Sequence, residues 1–275
     1  MSNFFPVSGP LHEQHQASVD GSLPAELHQG AFRQQDLDGF SESDIARGRA
    51  AWQSRVLEAY GLLIRYSQFA ADLAQTHARS EVVGLASRAA WDRNCHFELC
   101  CRMVQCLGGT LKLSHGDWSA YQTLGETAHE RVMHALAGPI CLEETVSIRI
   151  LAELARNTQM DVAKRTILHV ARVETQHWRL GWQLLTAMWE EYEDSDRGKI
   201  LKRLPDAFHD AKERFYMGRL GSQAGNVPKT QAKPSHSFGS MAVHQRASIV
   251  SETMTRAAER FVQIGVPSQS LANYL

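Results

Sequence analysis

Glu174 and His177 stand three residues apart in the stretch Val173-Glu174-Thr175-Gln176-His177-Trp178, inside a long apolar-periodic run. Three residues of α-helix turn through about 300°, so the carboxylate and the imidazole leave one face about a turn apart and can meet at one point. A hard carboxylate oxygen beside a borderline imidazole nitrogen suits iron, manganese or zinc, and one helix rarely supplies enough ligands alone. An isolated Glu-x-x-His on an amphipathic helix is more often a pair of surface or core-edge residues, so partners elsewhere in the chain decide its meaning. The candidates are Glu58, set among Leu62, Arg65 and Phe69; His96, in Asp92-Arg93-Asn94-Cys95-His96; and Glu144, in Glu143-Glu144-Thr145. Cys100 lies four residues after His96 and shares its face.

Four long helices must carry these residues. The first starts at Ser41-Glu42-Ser43-Asp44, with Ser41 or Ser43 as N-cap, and runs to about Gln75. The second runs from about Ser80 to Leu107 and ends at Gly108-Gly109. The third opens at Gly138-Pro139 and reaches about Asn157; the fourth follows Asp161, passes Glu174 and His177, and ends in the acidic run Glu190 to Asp194. Residues 108–138 are too long for a hairpin turn and imply a crossover travelling the length of a bundle, with a short helix of its own. Residues 1–41 are expected to be an extended arm, 42–194 the helical bundle, and 195–275 a C-terminal extension. The extension should hold helices at about Lys199 to Arg219 and Ala242 to Ile264, around a flexible loop over 221–240. No strand pattern competes, so the chain is expected to be all-α.

With 29 Lys+Arg against 30 Asp+Glu in 275 residues, the composition offers no argument for nucleic-acid or anionic-membrane binding. There is no apolar run of about 18 residues, and the opening Met1-Ser2-Asn3-Phe4-Phe5-Pro6 has neither a basic nor an apolar signal segment. A cytoplasmic protein without membrane attachment is therefore expected. Four of the five cysteines crowd the second helix, where they cannot form a disulfide framework and act mainly as small apolar residues.

The two halves match in form: Glu58 precedes His96, and Glu144 precedes His177, each across a helix, a turn and most of an antiparallel partner. Four antiparallel helices would then bring Glu58, His96, Glu144, Glu174 and His177 toward one central site, the plan of di-iron and di-manganese carboxylate bundles. On these segments the chain resembles the ferritin-like superfamily over residues 45–190, and bacterial ferritin-like domain proteins in particular. The resemblance implies a four-helix bundle with a long crossover between helices 2 and 3. It also implies one metal on Glu58 and His96, a second on Glu144 and His177, and Glu174 bridging.

One position departs from that pattern. Arg93 stands where the family has a second bridging Glu. Three arrangements follow. Asp92, four residues before His96, can replace the missing ligand through a small helix adjustment; Arg93 can turn outward and leave a single metal on Glu144, Glu174 and His177; or Arg93 can pair with Glu58, Glu144 or Glu174 and replace metal charge with guanidinium charge. A guanidinium within hydrogen-bond distance of Glu58 or Glu174 puts the two-metal site in trouble, whereas Asp92 at that place supports it.

The resemblance implies a non-haem iron oxidoreductase or oxygenase, with two iron ions rather than one and manganese as the other metal it accommodates. Dioxygen and a small organic molecule would be its substrates. The other reading is a ferritin-like scaffold with a decayed or single-metal site, acting as a binding protein. Tyr60, Tyr66, Trp178 and Trp182 either line a substrate pocket or fill core at helical spacing. Iron storage suits the arm and the long C-terminal extension poorly, and nothing marks a hydrolytic zinc site. A homodimer is expected on symmetry grounds alone. His129, His134 and His169 carry no assignment.

Overall fold

The computed structural model describes residues 9–33, 37–111, 118, 121–122, 124–217 and 236–275. All of their regular structure is helical, and none of the helices is long and apolar enough to cross a membrane. Most of the expected loop at 221–240 lies outside the described residues.

Two long hairpins dominate. The first joins α3 (Glu42–Gln75) to α4 (Ser80–Cys106). Ser41 caps α3 by accepting a hydrogen bond from the Asp44 N–H at 3.1 Å, and its side chain thereby satisfies one of the helix's free amides. Gly108, at φ 70°, ends α4 in a left-handed conformation that a glycine adopts without penalty. The second hairpin joins α6 (Glu144–Asn157) to α7 (Asp161–Glu191), and the two hairpins meet where α4 faces α7. Leu99, Met103, Val146, Leu154, Ile167 and Leu185 are among the side chains that close the core between them.

Helix α5 (Ala128–Ala135) does not stop at the Gly138-Pro139 pair. It continues through a π-helical stretch, Leu136–Glu143, directly into α6. Pro139 has no N–H to give to the preceding turn, and a widened turn accommodates its ring without ending the helix. The expected start at Pro139 is therefore a wide turn inside a longer helical run. The crossover returns over α3 so closely that a Cβ at Gly61 would sit 2.4 Å from the Tyr121 ring.

The N-terminal residues correct the sequence expectation more sharply. Instead of an extended arm, Pro10–Ser22 form α1, a short 3₁₀ turn covers Ala25–Leu27, and Gln29–Arg33 form α2. Only Val19 of α1 is buried, so the helix carries almost no apolar periodicity. It is tied down by polar contacts to α4: Arg102 meets Asp20 at 2.7 Å and the Leu27 carbonyl at 2.9 Å, and His15 meets Glu98 at 3.0 Å. At the other end, α8 (Asp194–Met217) buries Ile200, Leu204, Phe208, Ala211 and Phe215 along one stripe. It packs on the π-helical stretch and on α9 (Val243–Gln263), whose Phe261 meets Trp182 of α7 at 4.9 Å.

Candidate functional site

The midpoints of α3, α4, α6 and α7 bring together most of the residues singled out by spacing. Arg93 is at their centre. Only 1% of it is exposed, and its guanidinium donates to Glu174 Oε1 at 2.6 Å and to Glu144 Oε1. Tyr66 of α3 donates its hydroxyl to the same Glu144 oxygen at 2.6 Å, and its ring lies 4.7 Å beneath the guanidinium. The second Glu174 oxygen accepts from Ser147 Oγ at 2.7 Å. Arg93 thus spans the two carboxylates and stacks on an aromatic face, a use of planar geometry that lysine cannot reproduce.

The histidines flank this centre. His96 Nδ1 lies 3.7 Å from Glu174 Oε1 and, among the described residues, has no hydrogen-bond partner. Burial, with Arg93 nearby, lowers its pKa to about 4, so the ring is neutral at neutral pH. His177 Nε2 faces Asp92 Oδ2 at 3.3 Å, and burial lowers its pKa too, against the opposing pull of Asp92. Asp92 is therefore at the edge of the site, with its other oxygen held by Arg88 at 2.9 Å. Burial raises the pKa of Glu174, but the Arg93 charge and the hydrogen bonds from Ser147 and Arg93 overcome it and hold the carboxyl below its ordinary range.

Glu58 is half-buried and does not join the Arg93 bonds. Burial and the Glu174 charge push its pKa up to about 6, with Arg246, Arg214 and Arg55 pulling the other way. Cys100 is fully buried and burial raises its thiol, so it packs as a small apolar group. Tyr60 lies against Phe97 and Trp118, at ring separations of 5.4 and 5.1 Å. Trp178 donates to Thr145 Oγ1 at 2.9 Å and stacks under Arg260. Of the aromatic pocket candidates, only Tyr66 touches the charge centre. A cavity of about 210 Å³ opens beside it, bounded by Asp92, Arg93, His96, His169, Glu174 and His177.

No family model, curated protein or solved structure matches the chain.

The residues do not fit a pair of metal ions. The position that would carry a bridging carboxylate holds a buried guanidinium, already bonded to two of the carboxylates a metal pair would use. Among the described residues, no group of three or more His, Cys, Asp or Glu side chains is arranged to hold a metal ion. Among the described residues, four buried polar atoms at the centre have no hydrogen-bond partner: Arg93 Nε, His96 Nδ1, Glu144 Oε2 and His177 Nδ1. Buried polar atoms of this kind are costly unless water or another guest meets them.

Spacing alone misses Ser147. Its signal is present, three residues after Glu144 on the same helix face, but serine at such a position is ordinarily solvent-facing. His169, unassigned in the sequence, lines the cavity two turns before His177.

Proposed function

We propose that this chain is a ferritin-like helical bundle in which Arg93 replaces metal charge, and that it acts as a binding protein for a small polar molecule beside that centre. The observation that carries this reading is the Arg93 guanidinium bonded to both Glu144 and Glu174. Removing either side of such a buried pairing costs about 3–5 kcal/mol, because the remaining charge is left uncompensated. An iron pair using Glu144 and Glu174 would have to overcome that cost with the guanidinium still nearby. This makes an oxygen-activating iron pair the weaker reading.

The cavity supports a small guest. At about 210 Å³ it is below the roughly 300–1,000 Å³ usual for drug-sized ligands. Two imidazoles line it whose Nδ1 atoms have no partner among the described residues, and Arg172 at its edge has no ion pair among them either.

Metal stoichiometry after anaerobic loading with Fe(II) tests the proposal, on the native chain and on Glu174→Ala. The expected result is no iron above background in either, with a melting temperature unmoved by chelator. About two irons per native chain, lost on substitution, would overturn it in favour of the iron oxygenase.

A further inference from the structure

A second cavity, about 360 Å³, is formed where α5 and the π-helical stretch meet α8, and it takes no part in the Arg93 centre. Its volume is within the usual range for small-molecule pockets. Met133, Ala137, Ile200 and Leu204 give it an apolar floor, and the widened turn sets Gly138 in its wall, where an added Cβ would meet Ala207 at 3.4 Å. Such π-helical turns occur often at functional sites.

The rim is charged unevenly. Lys199 is engaged by Glu130 at 3.3 Å and by Asp196 at 3.4 Å. Lys202 and Arg203 also line the cavity, and among the described residues neither forms an ion pair; Asp206 lines the cavity with them. Whereas the Lys199 end of the rim, with Glu130 and Asp196, carries one negative charge, the Lys202 and Arg203 end carries one positive charge more than Asp206 offsets. Beneath it, His134 Nδ1 accepts from the Leu124 N–H at 3.3 Å, which places the proton of the neutral ring on Nε2. Burial, with Arg65 and Arg203 nearby, lowers the His134 pKa to about 4 and keeps the ring neutral. The ring therefore offers a donor and no charge.

We infer that this cavity binds a small organic monocarboxylate with an apolar body. The carboxylate would meet Lys202, Arg203 and the His134 Nε2–H, and the body would lie on the apolar floor. A polyanion such as phosphate fits less well, because Asp206 and Glu130 oppose any charge beyond the first. The site is independent of Arg93, so it stands or falls separately from the reading above.

The test is calorimetric titration of the full chain with octanoate, with octylamine and inorganic phosphate as comparison probes. Saturable octanoate binding, about tenfold weaker in the double variant Lys202→Ala/Arg203→Ala, is expected, together with a shift of the His134 imidazole resonances. Both substituted side chains are exposed, so the variant keeps its fold. Octanoate that fails to saturate, or binds the double variant equally well, would refute the inference. So would octylamine or phosphate binding as tightly as octanoate.

Discussion

Replacing Arg93 with methionine removes the guanidinium and keeps most of the side-chain volume. Glu144 and Glu174, whose side chains are each 3% exposed, then face each other with Tyr66 and Ser147 as their remaining donors among the described residues. A buried charge stripped of its partner destabilises by about 3–5 kcal/mol. For a chain of this size, each kcal/mol moves the melting temperature by about 2–4 °C, so a fall of roughly 6–20 °C follows. Charge, rather than lost packing, is the cause, and this can be separated. Arg93→Met/Glu144→Gln/Glu174→Gln leaves a neutral hydrogen-bonded centre and should recover most of the loss, since replacing a whole buried ionic group is often close to neutral. The pH dependence separates it again. In the native chain, the lowered pKa of Glu174 contributes stability that is present above the ordinary carboxylate range and lost as pH falls below that range through the lowered folded value. In Arg93→Met, burial raises the orphaned carboxyls instead, so the deficit relative to the native chain should shrink between pH 7 and pH 5. Urea unfolding followed by tryptophan fluorescence at both pH values measures this. A deficit below about 1 kcal/mol, or a triple variant as unstable as the single one, would refute the charge-replacement argument.

Two further outcomes follow from the same geometry. Glu58→Gln should stabilise the protein at pH 7 by about 1–2 kcal/mol, because a carboxyl whose folded pKa is raised to about 6 is costly once ionised. The gain should fade as pH drops below about 6 and vanish near pH 4; equal stability of the two proteins at pH 7 would contradict the burial of Glu58. Gly61→Ala should cost about 1–3 kcal/mol, since its Cβ would sit 2.4 Å from the Tyr121 ring, and thermal unfolding reads it directly. A neutral effect there would mean that the crossover does not press on α3.

The long helices α3, α4 and α7 were legible because burial of one face imposes an apolar period on the sequence, and Ser41 and Gly108 mark ends through local chemistry. Helix α1 was not. It holds to α4 through Arg102, Glu98 and their partners more than 70 residues away, and such polar bonds leave no periodic trace. Pro139 misled for a related reason: proline signals a helix start wherever the turn is regular, and here a π-helical turn absorbs it. At the site, spacing was enough to group Arg93, His96, Glu174 and His177, since i and i+3 share a face. The partners of the guanidinium depend on the mutual rotation of three helices, which no single segment encodes.

That pairing also explains why the same residue set leads to different electrostatics. A pair of divalent ions would bring four positive charges to Glu58, Glu144 and Glu174, whereas Arg93 brings one. The remaining negative charge has to be met otherwise, and each carboxylate is met differently. Glu144 takes the Tyr66 hydroxyl, Glu174 takes Ser147, and Glu58, beyond the bonds of Arg93, has its pKa raised by burial and further by the Glu174 charge. On the proposed reading, the two hydroxyl donors accompany the replacement of metal charge by one guanidinium. A carboxylate placed at position 93 would meet two carboxylates already engaged by Tyr66 and Ser147 before two metal ions found a complete set of ligands.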